Sequence, residues 1–285
     1  MKSIMIMDET GWSDITESIC KGTKYNVVGI VSSVKKECYN GFGIKLIPYE
    51  MMELYDSDLV ISVIWRRILP ERLIMRYENV INIHGGILPK WKGLSSNSWA
   101  IINGEKEVGY TVHKISVDID FGDIYKVYKI PINATDHYGK IKEDLRKLLC
   151  DDICSLIEKI VEKQVVPYSQ EGVQFALTPL LHPEDGRIDW NRNSQYIYGL
   201  FRTMSKPAGT GTYFVVKGRR YDISRMRIAE SILDYECISG SVIGANNEGV
   251  LIKTKDSAVI IMELMDDENR FVSPRSLLKI GQRLQ

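Results

Sequence analysis

The chain has 285 residues, 44% of them hydrophobic and 26% charged, which is enough for one large domain or two smaller ones of ordinary globular composition. Lys and Arg number 37 and so do Asp and Glu, so the formal charge is zero and the basic excess typical of polyanion-binding proteins is absent. Residues 1–8 form a short apolar run stopped by an acid, too short for a signal-peptide core or a membrane span, so a cytoplasmic protein with no membrane partner is expected. The five cysteines (Cys20, Cys38, Cys150, Cys154 and Cys237) lack metal-ligand spacing and read as free thiols, and no metal is expected.

In chain order, residues 4–7 and 25–32 read as strands with a helix over 13–20 between them. The run 59–64 is continuously apolar, the pattern of a parallel strand buried on both faces. A helix opening at Pro70 covers 70–76, the next strand covers 80–84, and a short helix over 98–102 stops at Asn103-Gly104. A further strand covers 109–115. Across 140–163, Ile141, Leu145, Leu148, Leu149, Ile153, Leu156, Ile157 and Ile160 recur at helical spacing. This alternation predicts an α/β fold with a doubly wound, mainly parallel sheet. A Gly-x-Gly-x-x-Gly run after the first strand is absent, which disfavours a nicotinamide cofactor. Residues 164–186 hold Pro167, Gly172, Pro179, Pro183 and Gly186, contain no Lys or Arg, and read as a connector. A helix over 194–205 and short strands over 209–218, 221–228, 238–246, 250–254 and 259–265 follow. The expected division is a catalytic domain over 1–163, a connector over 164–189, and a helix with a small β-domain over 190–285.

The most informative stretch is Asn82-Ile83-His84-Gly85-Gly86-Ile87-Leu88-Pro89-Lys90-Trp91-Lys92-Gly93. Asn82 and His84 end an apolar strand, and alternation along a strand puts them on one face. An amide and an imidazole are thereby aimed together at the carboxyl end of a sheet strand, where open α/β sheets bind ligands. Such a pair suits acyl transfer: an amide to hold a carbonyl oxygen and a base to take a proton. Downstream, Asp120 and Gly122 place a carboxylate at a tight turn. Taken alone, that Asp reads as a turn former.

Together, Asn82, His84, Leu88, Pro89, Trp91, Lys92 and Gly93, then Gly109, Thr111 and His113, then Asp120, Gly122, Asp123 and Ile124 resemble the folate-dependent formyltransferase family in both order and spacing. Its usual pattern is Asn-x-His-x-Ser-x-Leu-Pro, then Gly-x-Thr-x-His, then Asp-x-Gly-Asp-Ile. The likeness extends through Ile188-Asp189-Trp190, 197–202 and 240–243, and covers most of the chain beyond Asp58. It implies a Rossmann-like catalytic domain with a small OB-like β-domain, 10-formyltetrahydrofolate as formyl donor, and a primary amine as acceptor. By the same resemblance, His84 is the base, Asn82 steadies the formyl oxygen, and Asp120 orients the imidazole and passes a proton. The loops holding Arg66, Arg67, Ile68 and Leu69 and holding Ser116, Val117, Asp118 and Ile119 are implied to meet the folate. Two departures stand out. The motif's Ser is Gly86 here, and Met7-Asp8-Glu9-Thr10-Gly11-Trp12 replaces the family's usual first loop.

Members act on nucleotide-linked amino sugars, on initiator tRNA, or on a small amine. The chain is longer than a lone catalytic domain, and the connector lacks the basic residues of the tRNA enzymes. The expected acceptor is therefore a nucleoside-diphosphate-linked 4-amino-4,6-dideoxy sugar destined for surface glycans such as lipopolysaccharide O-antigen, with methionyl-tRNA as the alternative. Lys217, Arg219, Arg220, Arg225 and Arg227 form a basic cluster that reads either as a solvated face or as a phosphate patch. A nucleic-acid partner is not expected, and a homodimer is expected by analogy with the sugar enzymes. A folate- or sugar-binding relative without catalysis is the non-enzyme alternative.

Overall fold

The computed structural model describes residues 2–8, 13–32, 43–170, 176–230 and 236–284; the first-loop departure over 9–12 lies outside these residues. The first half builds a seven-stranded sheet. Its elements are β1 (Ser3–Met7), α1 (Ser13–Gly22), β2 (Asn26–Val31), β3 (Leu46–Ile47), β4 (Leu59–Val63), α2 (Glu71–Arg76), β5 (Val80–His84), α3 (Ser96–Ile102), β6 (Glu107–Lys114) and β7 (Ile124–Pro131). The strand order is β3-β2-β1-β4-β5-β6-β7. Strands β1 to β5 pair in parallel, whereas β5–β6 and β6–β7 are antiparallel. The chain winds outward in one direction from β1 to β3 and in the other from β4, so the switch point lies between β1 and β4. That is where open α/β sheets form ligand crevices.

Burial follows the sequence pattern. All five residues of β4 are buried, as expected for a central parallel strand covered on both faces. On one face Met5, Met7, Val60 and Val80 pack with Leu69, Leu73 and Tyr77 from the segment that follows β4, and Trp65 and Ile115 lie against the same cluster. Alternation puts Asn82 and His84 on the face of Val80. The site therefore rises from a fully packed layer.

The sheet differs from its sequence reading at its far edge. β7 alternates Lys and Tyr with aliphatics over 126–130 and is only half-buried, so its apolar signal is weak. The helical stretch of 140–163 is two helices, α4 (Tyr138–Cys150) and α5 (Ile153–Val161). The break has a physical cause at Asp152. Its Oδ2 accepts the Tyr128 hydroxyl at 2.7 Å and the Lys126 ammonium at 2.6 Å, both from β7, which draws the N-cap of α5 outward to the sheet.

The C-terminal part contains α6 (Ser194–Met204), capped where Asn193 Oδ1 accepts the Tyr196 N–H at 2.7 Å. An antiparallel sheet follows, formed by β8 (Tyr213–Val216), β9 (Arg219–Ile228), β10 (Val242–Ala245), β11 (Val250–Lys253) and β12 (Ala258–Met265), with β13 (Phe271–Val272) paired to β12. Lys217 and Gly218 turn β8 into β9 at φ 48° and 77°, the left-handed pair that a two-residue hairpin of this type requires. Trp190, Phe201, Phe214, Ile223, Ile252 and Leu264 share its core. By contacts the chain forms two compact units, one of Met1–Asn97, Glu107–Pro131 and Lys142–Leu180, the other of Ser98–Lys106, Ile132–Ile141 and Leu181–Gln285. No described helix is long and apolar enough to cross a membrane.

Ile61 is wholly buried at the centre of β4. Ile61→Ala should lower unfolding free energy by about 2–5 kcal/mol through lost transfer energy and a residual cavity. Urea denaturation midpoints check this; an unchanged midpoint would contradict the packing described.

Candidate active site

Asn82 and His84, the third and fifth residues of β5, project beside His113 of β6, which pairs directly opposite Asn82. After β6 the chain loops back over this face, and Asp120 enters between the two imidazoles. Its Oδ2 lies 3.3 Å from His84 Nδ1 and its Oδ1 lies 3.4 Å from His113 Nε2. Oδ2 also accepts the Gly93 N–H at 2.8 Å. The sequence-expected trio Asn82, His84 and Asp120 is thus brought together, and His113 completes a four-residue cluster. Among the described residues no group of three or more His, Cys, Asp or Glu is placed to hold a metal ion.

The hydrogen bonds fix the proton inventory. His113 Nδ1 contacts the Lys114 carbonyl at 2.7 Å, and a carbonyl only accepts, so that nitrogen carries the proton. In the neutral ring Nε2 is then a lone pair, and Asn82 Nδ2 donates to it at 3.2 Å. Ser62 Oγ donates to Asn82 Oδ1 at 2.8 Å, which sets the amide orientation and leaves one Asn82 N–H for a substrate oxygen. The same reasoning gives His84 a proton on Nε2, donated to the Trp91 carbonyl at 2.7 Å. His84 Nδ1 is then the basic site and faces Asp120. A proton accepted there is held by the carboxylate at once. For the His84 N–H to reach a substrate oxygen, its bond to Trp91 must be exchanged.

Burial pushes the His84 imidazole below the ordinary histidine value, with the Asp120 charge pulling the other way. Burial also opposes ionisation of Asp120, but positive charge taken up on the facing imidazoles, together with the Gly93 N–H, outweighs it and draws the carboxyl down to about 2. The site is a buried carboxylate flanked by two bases, suited to taking up and passing on a single proton.

Two glycines make this packing feasible. A Cβ on Gly86 would lie 2.6 Å from the Trp91 carbonyl and 2.7 Å from His84 Nε2, so the motif's Ser would collide with the bond that holds the imidazole. A Cβ on Gly122 would come 1.9 Å from the Lys114 carbonyl, where the Asp120 loop folds back on β6. Asp120 itself sits at φ 57°, a left-handed conformation that Asp tolerates better than most residues.

The two loops implied to meet the folate leave strands adjoining β5. Ile64 opens the first at φ 50°, costly for a β-branched residue and characteristic of strained functional turns. Ile68 is 70% exposed, Val117 63% and Ile119 37%, an unusual share of bare aliphatics for charged loops. Arg66 is exposed, and the exposed Arg67 lies over the rings of Tyr49 and Trp65. Leu69 is buried, with its side chain in the core. Ser116 Oγ donates to the Asp118 carbonyl at 2.8 Å and shapes the second loop.

Residues without a clear sequence signal also build the site. Lys92 is buried, its Nζ lies 3.0 Å from the Phe121 ring centroid, and it finds no hydrogen-bond acceptor among the described residues. Burial lowers its pKa, with Asp120 opposing. The Thr178 hydroxyl, from the stretch read as a surface connector, lies 2.7 and 2.8 Å from the Lys92 and Leu94 carbonyls, which share its single proton. These contacts pair residues 86 positions apart or nearly so, which one sequence does not reveal.

Two family profiles match the chain: "Formyl transferase" over residues 48–151 and "Formyl transferase, C-terminal domain" over residues 180–281. A methionyl-tRNA formyltransferase of Geotalea daltonii is 30% identical over 208 residues, 73% of this chain and 65% of that protein, so the chain spans just under two thirds of that relative's length. Among solved structures, the sugar 3N-formyl transferase WlaRD, crystallised with dTDP and 5-N-formyl-THF, matches at TM-score 0.67 and 17% identity over 92% of this chain and 97% of that one. The N-formyltransferase from Helicobacter canadensis, in complex with folinic acid and dTDP-3-aminofucose, matches at TM-score 0.65 and 18% identity over 92% and 99% of the two chains. At these identities the structural likeness establishes the fold, a mainly parallel sheet with helices followed by an antiparallel β-domain.

Gly86→Ser introduces the residue that the motif usually carries. Here it should cost about 1–3 kcal/mol through overpacking against Trp91 and Ser96. Thermal melting checks this, and an unchanged or raised melting temperature would contradict the crowding.

Proposed function

Because this chain belongs to the formyl transferase family, we propose that it moves a formyl group from 10-formyltetrahydrofolate to the primary amine of a nucleoside-diphosphate-linked 4-amino-4,6-dideoxy sugar. The observation that carries this reading is Asp120 seated between the imidazoles of His84 and His113 with an oriented Asn82 amide beside them. The free Asn82 N–H would hold the formyl oxygen as negative charge develops on it. His84, kept neutral by burial, would accept the proton released by the attacking amine, and Asp120 would stabilise the imidazolium and relay the proton toward the leaving nitrogen. The folate derivative, when bound, supplies an activated formyl group.

The loops fit such a donor. Ile68, Val117 and Ile119 offer apolar contacts for a flat ring system, and the Trp65 Nε1–H is a buried donor with no partner among the described residues. The solved neighbours crystallised with folate derivatives and with dTDP or dTDP-3-aminofucose support a folate donor and a nucleotide-linked amino sugar, although both are named for a 3-amino rather than a 4-amino position. Against a polyanionic acceptor stands the pairing of the C-terminal basic cluster. Arg220 bonds Asp222 at 2.7 Å, Arg225 lies 3.5 Å from Glu263, and Arg227 pairs with Glu248. These arginines are held by acids of their own sheet. Methionyl-tRNA is the second reading, favoured by the name of the Geotalea relative.

The test is formyl transfer from 10-formyltetrahydrofolate to dTDP-, UDP- and GDP-linked 4-amino and 3-amino sugars, with methionyl-tRNA in parallel. Turnover of a 4-amino sugar is expected; turnover of a 3-amino sugar alone would move the amine, and turnover of the charged tRNA alone would replace the sugar reading. With the active acceptor, Asn82→Ala should lower kcat by about 10²–10³-fold. Full activity in that variant would end the proposed mechanism.

A further inference from the structure

We propose that Gln170 is a positioning residue that holds Asp120 in place between His84 and His113. The inference rests on the catalytic reading of Asp120 given above. Gln170 Nε2 donates to the Asp120 carbonyl at 2.9 Å and to the Gly122 carbonyl at 2.7 Å. A primary amide has two N–H bonds, and both are committed to this one turn. The donor comes from 50 residues downstream of Asp120.

The delivery of Gln170 is specified by backbone pairing. Tyr168 and Ile124 exchange hydrogen bonds in both directions, at 2.8 and 3.0 Å, as an antiparallel bridge. That register places residue 170 opposite residue 122, at the turn behind the carboxylate. The turn needs such support. Asp120 is in the left-handed region at φ 57°, and that conformation persists only where neighbours impose it. Fixing the Asp120 carbonyl fixes its peptide plane, and with it the direction of its Cα–Cβ bond. On the side-chain end, the one backbone donor among the described residues is the Gly93 N–H. Gln170 and Gly93 thus hold the residue from opposite ends, and a shift of about 1 Å at such a group can cost 10²-fold in rate.

The chain has four histidines, His84, His113, His137 and His182, so imidazole nitrogen NMR reads the site directly. Among the described residues, Asp120 faces both imidazoles and Lys92 acts on Asp120. Gln170→Met keeps the length and removes both donors. In the full-length protein, the titration of His84 should move in the direction produced by Asp120→Asn, while that of His137 stays in place and reports intact folding. Gln170→Asn, shorter by one methylene, should give a smaller shift of the same sign and serves as the second variant should the Met form fail to fold. In formyl transfer, Gln170→Met should lower kcat about 10–100-fold with KM little changed, and should add less than about twofold to Asp120→Asn. A His84 titration that superposes on wild type, or a full further loss in the Asp120→Asn background, would overturn the proposal. Full kcat in Asp120→Asn alone would instead sink the catalytic reading of Asp120 and would leave the NMR result standing.

Discussion

The Asp120 carboxylate is a charge taken almost wholly out of water, and such a charge is tolerable only when its surroundings answer it. Much of the first unit is arranged around that requirement. β5 and β6 each contribute an imidazole, the Gly93 N–H supplies a hydrogen bond, and Lys92 brings a cation into the same buried space. Each imidazole is tied at its far nitrogen to a carbonyl, Trp91 for His84 and Lys114 for His113, so the near nitrogens face the carboxylate. A cluster built this way has room for one mobile proton, and formyl transfer from a folate nitrogen to an amine moves one.

The elements that carry the candidate site were largely legible in the sequence. Asn82 and His84 ended an apolar run whose alternation put them on one face, and β5 places them so. The continuous apolar run of β4 read correctly as a doubly covered strand. What escaped was set by distant partners. β7 is half-buried and rich in Lys and Tyr, so it lacked a strong period, and its Tyr128 and Lys126 break the helical stretch at Asp152. Residues 164–186 read as a connector because Pro and Gly interrupt any period, yet Tyr168, Gln170 and Thr178 bond the segments that hold Asp120 and Lys92.

The departure from the family motif at Gly86 has a local explanation. Where the family motif carries Ser, Gly86 leaves the space through which the Trp91 carbonyl reaches His84. A hydroxyl at that position is absent, and the Trp91 carbonyl holds the imidazole. The basic residues of β9 show the opposite lesson: conspicuous as a cluster in sequence, three of them are bound by Asp222, Glu263 and Glu248.

The central claim is that a buried, neutral His84 coupled to Asp120 handles the proton of formyl transfer. Its most direct test is the pH dependence of kcat/KM with the active acceptor, compared between wild type and His84→Asn. Burial lowers the His84 value, so the base is unprotonated above it and activity is lost only as pH falls through it. The account predicts an acid limb below the ordinary histidine value of about 6.5 in the wild type, and a variant with residual activity that has lost that limb. An acid limb at or above that value, or one unchanged in His84→Asn, would contradict it.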